Sequence, residues 1–195
     1  MRGAHGALAA AACVLVSGFL SIPGGAPADA APGRLFVDGD SLAVGTRPHI
    51  RRELRGWKVT HSVAVGRQTS EGVAVLRSLG PSLPAVIHVS LGTNDDPRNV
   101  SRFRAAIRAV LNIAGPNRCV VWTNILRPPV AGVGYNRYNR ALARESRPEE
   151  RLRVVNWVRL VRENPHWLRR DGVHATAEGY RQRARVVARS VRRCD

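Results

Sequence analysis

The feature that most limits how this chain can fold is a set of short runs too evenly apolar to keep one face in water. Residues 85–90 (AVIHVS) are apolar except at His88 and the closing serine, and Cys119–Thr123 (CVVWT) reads alike. Strands of that kind are buried on both faces, which happens when helices cover both sides of a parallel sheet. Residues 34–38 (RLFVD) and 57–63 have the same bounded length, and residues 152–157 make a fifth strand. Between these runs the spacing turns helical. A helix is expected over residues 41–54; Phe103, Ile107, Val110 and Ala114 mark a second, and Tyr135, Tyr138 and Leu142 a third. Ala177, Tyr180, Ala184, Val187 and Val191 form a 3-4-3-4 stripe. Arg181, Arg183, Arg185, Arg189, Arg192 and Arg193 fall mostly off that stripe and read as a solvated face. The alternation predicts an α/β fold with about five parallel strands.

At 195 residues there is room for one domain with a real core. A hydrophobic content of 44% excludes wholesale disorder. The first thirty residues stand apart. Arg2 is followed by an Ala/Val/Leu run from Leu8 to Leu20, then by Pro23, Gly24, Gly25 and Pro27, then by Ala28-Asp29-Ala30. That is the three-part pattern of a secretory signal peptide, so residues 1–30 are expected to be removed and residues 31–195 to work outside the cell. Export leaves Cys119 and Cys194, which are either paired or two separate thiols. The formal charge of +17 is almost all arginine, Lys58 being the only lysine. It would attract nucleic acid, yet aromatics at stacking intervals are few and no nucleic-acid motif is present. The expected partners of this charge are anionic wall polymers or phospholipid surfaces, and the protein is expected to be a monomer with no specific nucleic-acid ligand.

Parallel strands bring their carboxyl ends to one edge, where open α/β sheets bind ligands. The residues just beyond the strands are Asp38-Gly39-Asp40-Ser41, then Val65-Gly66-Arg67, then Leu91-Gly92-Thr93-Asn94-Asp95. Asp171-Gly172-Val173-His174 precedes the last helix. A hydroxyl, an imidazole, a carboxylate, a glycine amide and a carboxamide are the set that acyl transfer requires. Serine is a weak nucleophile until an imidazole takes its proton, and the imidazole needs a carboxylate to fix its tautomer. This assigns Ser41, His174 and Asp171, the last two spaced so that the carboxylate reaches the ring. The Ser41 amide, the Gly66 amide and the Asn94 side chain are the candidate oxyanion donors. Residues 127–134 and 164–171 are expected to wall the cleft.

Simpler readings exist for single residues. Asp40-Ser41 is a good helix cap and Asn94-Asp95 a good turn. His88, inside an apolar strand, reads as a hydrogen-bonded core residue; His49, His61 and His166 receive no role. Asp38-Gly39-Asp40 also fits the carboxylate pair of a Mg²⁺-dependent phosphatase. That chemistry wants a downstream lysine and a later acidic pair, and Lys58 lies too early.

Taken in order, GDSL at Gly39–Leu42, Gly66 in VGRQ, GTND at Gly92–Asp95 and DGVHATAEGY at Asp171–Tyr180 resemble the four blocks of the SGNH (GDSL-like) hydrolase superfamily. The likeness runs from about Arg34 to the C-terminus. It implies a three-layer, flavodoxin-like α/β/α sandwich, a serine mechanism that uses no metal or cofactor, and Ser41, Asp171 and His174 as its triad. GRQ, GTN and Asn156-Trp157 followed by Pro165-His166-Trp167-Leu168 are similar to extracellular SGNH domains of peptidoglycan O-acetyltransferases. The expectation is a secreted serine esterase favouring short acyl groups, its substrate an acylated carbohydrate or lipid. The alternatives are an O-acyltransferase acting on wall carbohydrate, a GDSL lipase, and a basic binding module without catalysis.

Overall fold

Helix α1 (Ser41–Glu53) starts where strand β1 (Arg34–Gly39) stops, with only Asp40 between them. The same strand-then-helix step recurs along the chain. Strand β2 (Lys58–Val63) leads to α2 (Thr69–Leu79), β3 (Val86–Ser90) to α3 (Val100–Ala114), and β4 (Cys119–Thr123) to α4 (Asn136–Ser146). Strand β5 (Leu152–Val155) leads to α5 (Trp157–Glu163), and α6 (Ala177–Val191) closes the chain. The computed structural model describes residues 33–194 together with Met1 and Gly3. The expected signal peptide lies outside those residues, save Met1 and Gly3.

The five strands among the described residues are all parallel, in the order β2-β1-β3-β4-β5. The chain moves outward from β1 to β2, then crosses back to place β3 on the other side of β1. The loops after β1 and β3 therefore diverge to opposite faces, and the crevice between them is the natural ligand position. Period-two alternation sorts the strand residues by face. Leu35, Val37, Val86 and Val121 pack with Ile50 of α1 and with Ala184, Val187 and Val191 of α6. Phe36, Ile87, Val89, Val120 and Trp122 pack on the other face with Leu76 of α2, Phe103 and Ile107 of α3, and Leu142 of α4. This is the three-layer α/β/α arrangement expected from the sequence.

The alternation also places polar residues inside. His88 and Ser90 share the α1/α6 face with Val86, and both are buried. His88 Nε2 lies 3.0 Å from Thr123 Oγ1, the bonded core role expected of it. Cys119, on that face at the start of β4, and Cys194 beyond α6 have Cα atoms 5.7 Å apart and sulfurs at disulfide distance.

Three expectations need correction. The fifth strand ends at Val155 rather than at Trp157. Asn156 caps α5, its side chain accepting from the Arg159 amide, and Trp157 opens that helix. Helix α2 has no counterpart in the sequence reading, because its apolar residues are diluted by Thr69, Ser70, Gly72 and Ser78. Arg183 does not belong to a solvated face: it is 2% exposed. Its position one turn from Tyr180 and Val187 turns it toward the sheet, where Nη2 donates to Ser90 Oγ at 3.0 Å.

Candidate active site

Ser41 owes its position to the residue before it. Asp40 is fully buried, its amide donates to the Ser90 carbonyl at 3.1 Å, and its Oδ1 accepts from the Leu42 amide at 2.9 Å. One residue thus ties the loop to β3 and caps α1, so Ser41 becomes the first helical residue, at the carboxyl edge of the sheet. Burial raises the Asp40 carboxyl above its ordinary range, and the Arg183 charge opposes that rise. The Arg183 guanidinium sits 5.3 Å above the Trp157 ring, and burial pulls it down to about 10.

Ser41 Oγ lies 3.0 Å from His174 Nε2, across 133 residues of sequence. On the other side of the ring, Nδ1 lies 2.8 Å from Asp171 Oδ2. A carboxylate at Nδ1 selects the tautomer protonated there, which leaves the Nε2 lone pair to accept from the serine hydroxyl. Asp171 Oδ1 accepts from the Val173 and His174 amides, both at 2.9 Å. Those bonds, the Val173 amide first, draw the Asp171 carboxyl down to about 2.

The histidine turn is held largely by main chain. The Arg169 amide donates to the His174 carbonyl at 2.8 Å and the Thr176 amide to the Trp167 carbonyl at 2.8 Å. Gly172 has φ +66, a conformation that favours glycine. Gly179, in the first turn of α6, lies so close to the Trp167 carbonyl that a Cβ there would collide with it. The Leu168–Ala175 bridge completes this clamp. A Cβ on Gly172 would come 3.0 Å from Pro128 Cγ, so residues 127–134, one of the two loops expected to wall the cleft, lie against the turn.

The oxyanion candidates occupy the loops after β2 and β3. Gly66 has φ +77 with open space around a notional Cβ, so its requirement is one of backbone conformation. The Asn94 side-chain amide donates to the Arg67 carbonyl at 3.2 Å, joining the two loops. Thr93 and Asp95 carbonyls accept from the Tyr135 hydroxyl at 3.1 and 2.8 Å, and Arg127 Nη1 donates to the Thr93 carbonyl at 2.6 Å.

The sequence reading assigned no task to Arg67, and considered Asp38 only as half of a phosphatase carboxylate pair. Arg67 Nη1 donates to Asp38 Oδ1 at 2.8 Å and to the Ser62 carbonyl at 2.6 Å. The same side chain thus pins the Gly66 turn to the ends of β1 and β2, while its carbonyl orients Asn94. Burial outweighs the attraction of Arg67 and pushes the Asp38 carboxyl up to about 6. The signal was an arginine inside VGRQ and an aspartate in the first apolar strand, but at a separation of 29 residues spacing cannot show that they meet. Because Asp38 and Asp40 are both fully buried, one spent on Arg67 and one on the α1 cap, neither is open to a phosphoryl group. The phosphatase reading of Asp38-Gly39-Asp40 is set aside on that ground.

No family model and no curated protein sequence matches the chain. Solved structures do. TesA superposes with a TM-score of 0.68 at 19% identity, covering 83% of this chain and 99% of its own. The C-terminal catalytic domain of peptidoglycan O-acetyltransferase A from Streptococcus pneumoniae superposes at 0.64, with 17% identity, 84% of this chain and 92% of that one. The chain has the fold of the SGNH/GDSL hydrolases. A family 3 carbohydrate esterase from Clostridium thermocellum matches at 0.65, with 16% identity, 82% of this chain and 95% of its own. At such identities the likeness speaks for the SGNH fold, and the chemistry must be argued from the side chains above.

Proposed function

We propose that the protein is a serine esterase of the SGNH type, acting through an acyl-enzyme on Ser41. The observation that carries this reading is the 3.0 Å contact between Ser41 Oγ and His174 Nε2, with Asp171 at 2.8 Å on the far nitrogen. In the first step the Ser41 oxygen attacks the ester carbonyl as its proton passes to His174 Nε2. The tetrahedral oxyanion is received by the Ser41 and Gly66 amides and the Asn94 side chain. His174 then returns the proton to the departing alcohol, leaving the acyl group on Ser41. Water attacks that ester in the second step with His174 again as base, and the acid and free enzyme are released. The polar groups above need no metal or cofactor to run this sequence.

Short acyl groups, acetyl above all, on carbohydrate are the favoured substrates in this proposal. Support comes from the GRQ and Asn-Trp likeness, and from a carbohydrate esterase and an O-acetyltransferase domain sharing the fold. The protein is proposed to act after export as a monomer, with residues 1–30 as its leader. The test is a series of p-nitrophenyl esters from acetate to decanoate, run with and without a chito-oligosaccharide acceptor. Fastest turnover on acetate with no sugar ester formed supports the proposal. Acetylated sugar as the main product replaces hydrolase with transferase, and a preference for decanoate replaces it with lipase. No turnover of any ester removes the esterase reading altogether.

A further inference from the structure

The catalytic set leaves most of the arginines unused, and one group of them is organised. Arg137, Arg140 and Arg144 are exposed on α4, and with Arg104, Val100 and Ala141 they line a groove between α3 and α4. Arg104 and Arg108 share the single carboxylate of Glu145, at 3.0 and 2.9 Å. Among the described residues Arg137, Arg140 and Arg144 have no carboxylate within 4.0 Å. Five arginines therefore face one glutamate. Steps of three and four residues set the unpaired arginines roughly 4.5 and 6 Å apart along the helix axis, a line of about 10 Å.

The line is also aimed. Helix α4 starts at the carboxyl edge of the sheet, and its first turn is fastened to the loop that carries Asn94. The Tyr135 hydroxyl donates to the Asp95 carbonyl at 2.8 Å, and the Tyr138 hydroxyl to the Asp96 carbonyl at 2.6 Å. Val100 and Arg137, in the first turns of α3 and α4, form the end of the groove nearest that edge of the sheet, and the groove runs from there toward Arg144.

We infer that this groove binds a linear polymer whose negative charges are phosphodiesters, and that such a polymer carries the ester presented to Ser41. The guanidinium fork suits phosphate oxygens, and a charge every few ångströms matches the arginine spacing. A bilayer surface is the poorer occupant. Membrane-lying helices insert bulky apolar side chains, whereas Met1, Val65 and Val130 are the exposed large hydrophobics among the described residues and none belongs to α3 or α4. A nucleic acid strand would want an open aromatic platform, and among the described residues the groove is lined by arginine, valine and alanine with no aromatic side chain. The second half of the inference rests on the esterase reading; the first half does not.

The experiment measures binding of poly(glycerol phosphate) to the full chain by fluorescence anisotropy across a salt series. The triple variant Arg137→Gln/Arg140→Gln/Arg144→Gln is compared with Arg51→Gln/Arg52→Gln/Arg55→Gln, which removes equal charge elsewhere. The groove variant is expected to lose about tenfold or more in affinity and to flatten the salt slope by about 2, and the control variant to lose under about threefold. The groove variant's turnover of p-nitrophenyl acetate, a substrate too small to reach the groove, should match the wild type, while its kcat/KM on O-acetylated polymer falls with affinity. Equal losses in both variants mean diffuse charge and overturn the groove. Tighter binding to phosphatidylglycerol vesicles or to an oligothymidylate also overturns it, in favour of a membrane or nucleic acid. Intact polymer binding in a wild type that hydrolyses no ester upholds the groove and overturns the esterase proposal.

Discussion

The two halves of the candidate site are built in opposite ways. The nucleophile stands on core: Asp40 is fully buried, bonded to β3 and capping α1, with Arg183 and Ser90 packed beneath the same sheet edge. The base stands on a turn: the His174 and Asp171 side chains are 38% and 47% exposed, and main-chain bonds to Trp167 and Arg169 hold them. Moving Ser41 means breaking sheet register. Moving His174 means opening a few exposed hydrogen bonds. The rigid half fixes where acyl transfer takes place, and the wet half leaves solvent next to the ring that must activate water.

That contrast can be broken most forcibly at the atoms the halves share. Ser41→Ala and His174→Ala should each lower kcat by about 10⁴-fold or more with the thermal midpoint unchanged. Normal turnover in the Ser41→Ala protein would end the assignment. Asn94→Ala should cost about 10²-fold in kcat with little change in KM, since its donor matters chiefly in the transition state. A rise in KM at constant kcat would instead make Asn94 a substrate-binding group.

Stability measurements probe the buried half. Arg183→Met leaves Asp40 without its nearest compensating cation and should destabilise the fold by about 3 kcal/mol in chemical denaturation. Adding Asp40→Asn should recover part of that loss; two fully additive losses would show that the charges do not communicate. In the exposed half, Asp171→Asn should cost only about 10- to 100-fold in turnover, because solvent can replace part of what a half-exposed carboxylate supplies. A loss equal to that of His174→Ala would erase the distinction between the halves.

The smallest effect is a pH dependence. Asp38 has its carboxyl raised to about 6 in the folded protein against 3.8 as a free group, so the folded state holds the proton more tightly. Its contribution to stability is greatest below pH 4 and is lost as pH rises through 6. The thermal midpoint of the wild type, measured relative to Asp38→Asn, should therefore fall by a few degrees between pH 4 and 6. A difference that stays flat or rises would refute the burial argument.

What could be read in advance depended on how local its cause was. The strands around 85–90 and 119–123 were legible because only a sheet covered on both faces tolerates such runs. Ser41, Asn94, Asp171 and His174 were legible as candidates because parallel strands send their ends to one edge, and chemistry restricts what can usefully meet there. Arg183 was misjudged, since a helix stripe shows which side is apolar and cannot show that a guanidinium will be turned inward over Trp157 to meet Ser90. The pairing of Arg67 with Asp38 was missed for the same reason: it joins the end of β1 to the loop after β2, and no periodicity reports it.

Alternating runs of apolar strand and amphipathic helix, with small and polar residues at the turns, were enough to determine the layered fold. Backbone hydrogen bonding and burial leave such a pattern few other solutions. The tertiary structure alone decided the 3.0 Å meeting of Ser41 and His174, the enclosure of Arg183 near Asp40, and the lining of the α3/α4 groove by Arg104, Arg137, Arg140 and Arg144. Each depends on where elements distant in sequence come to rest, a position set by the packing of the whole core.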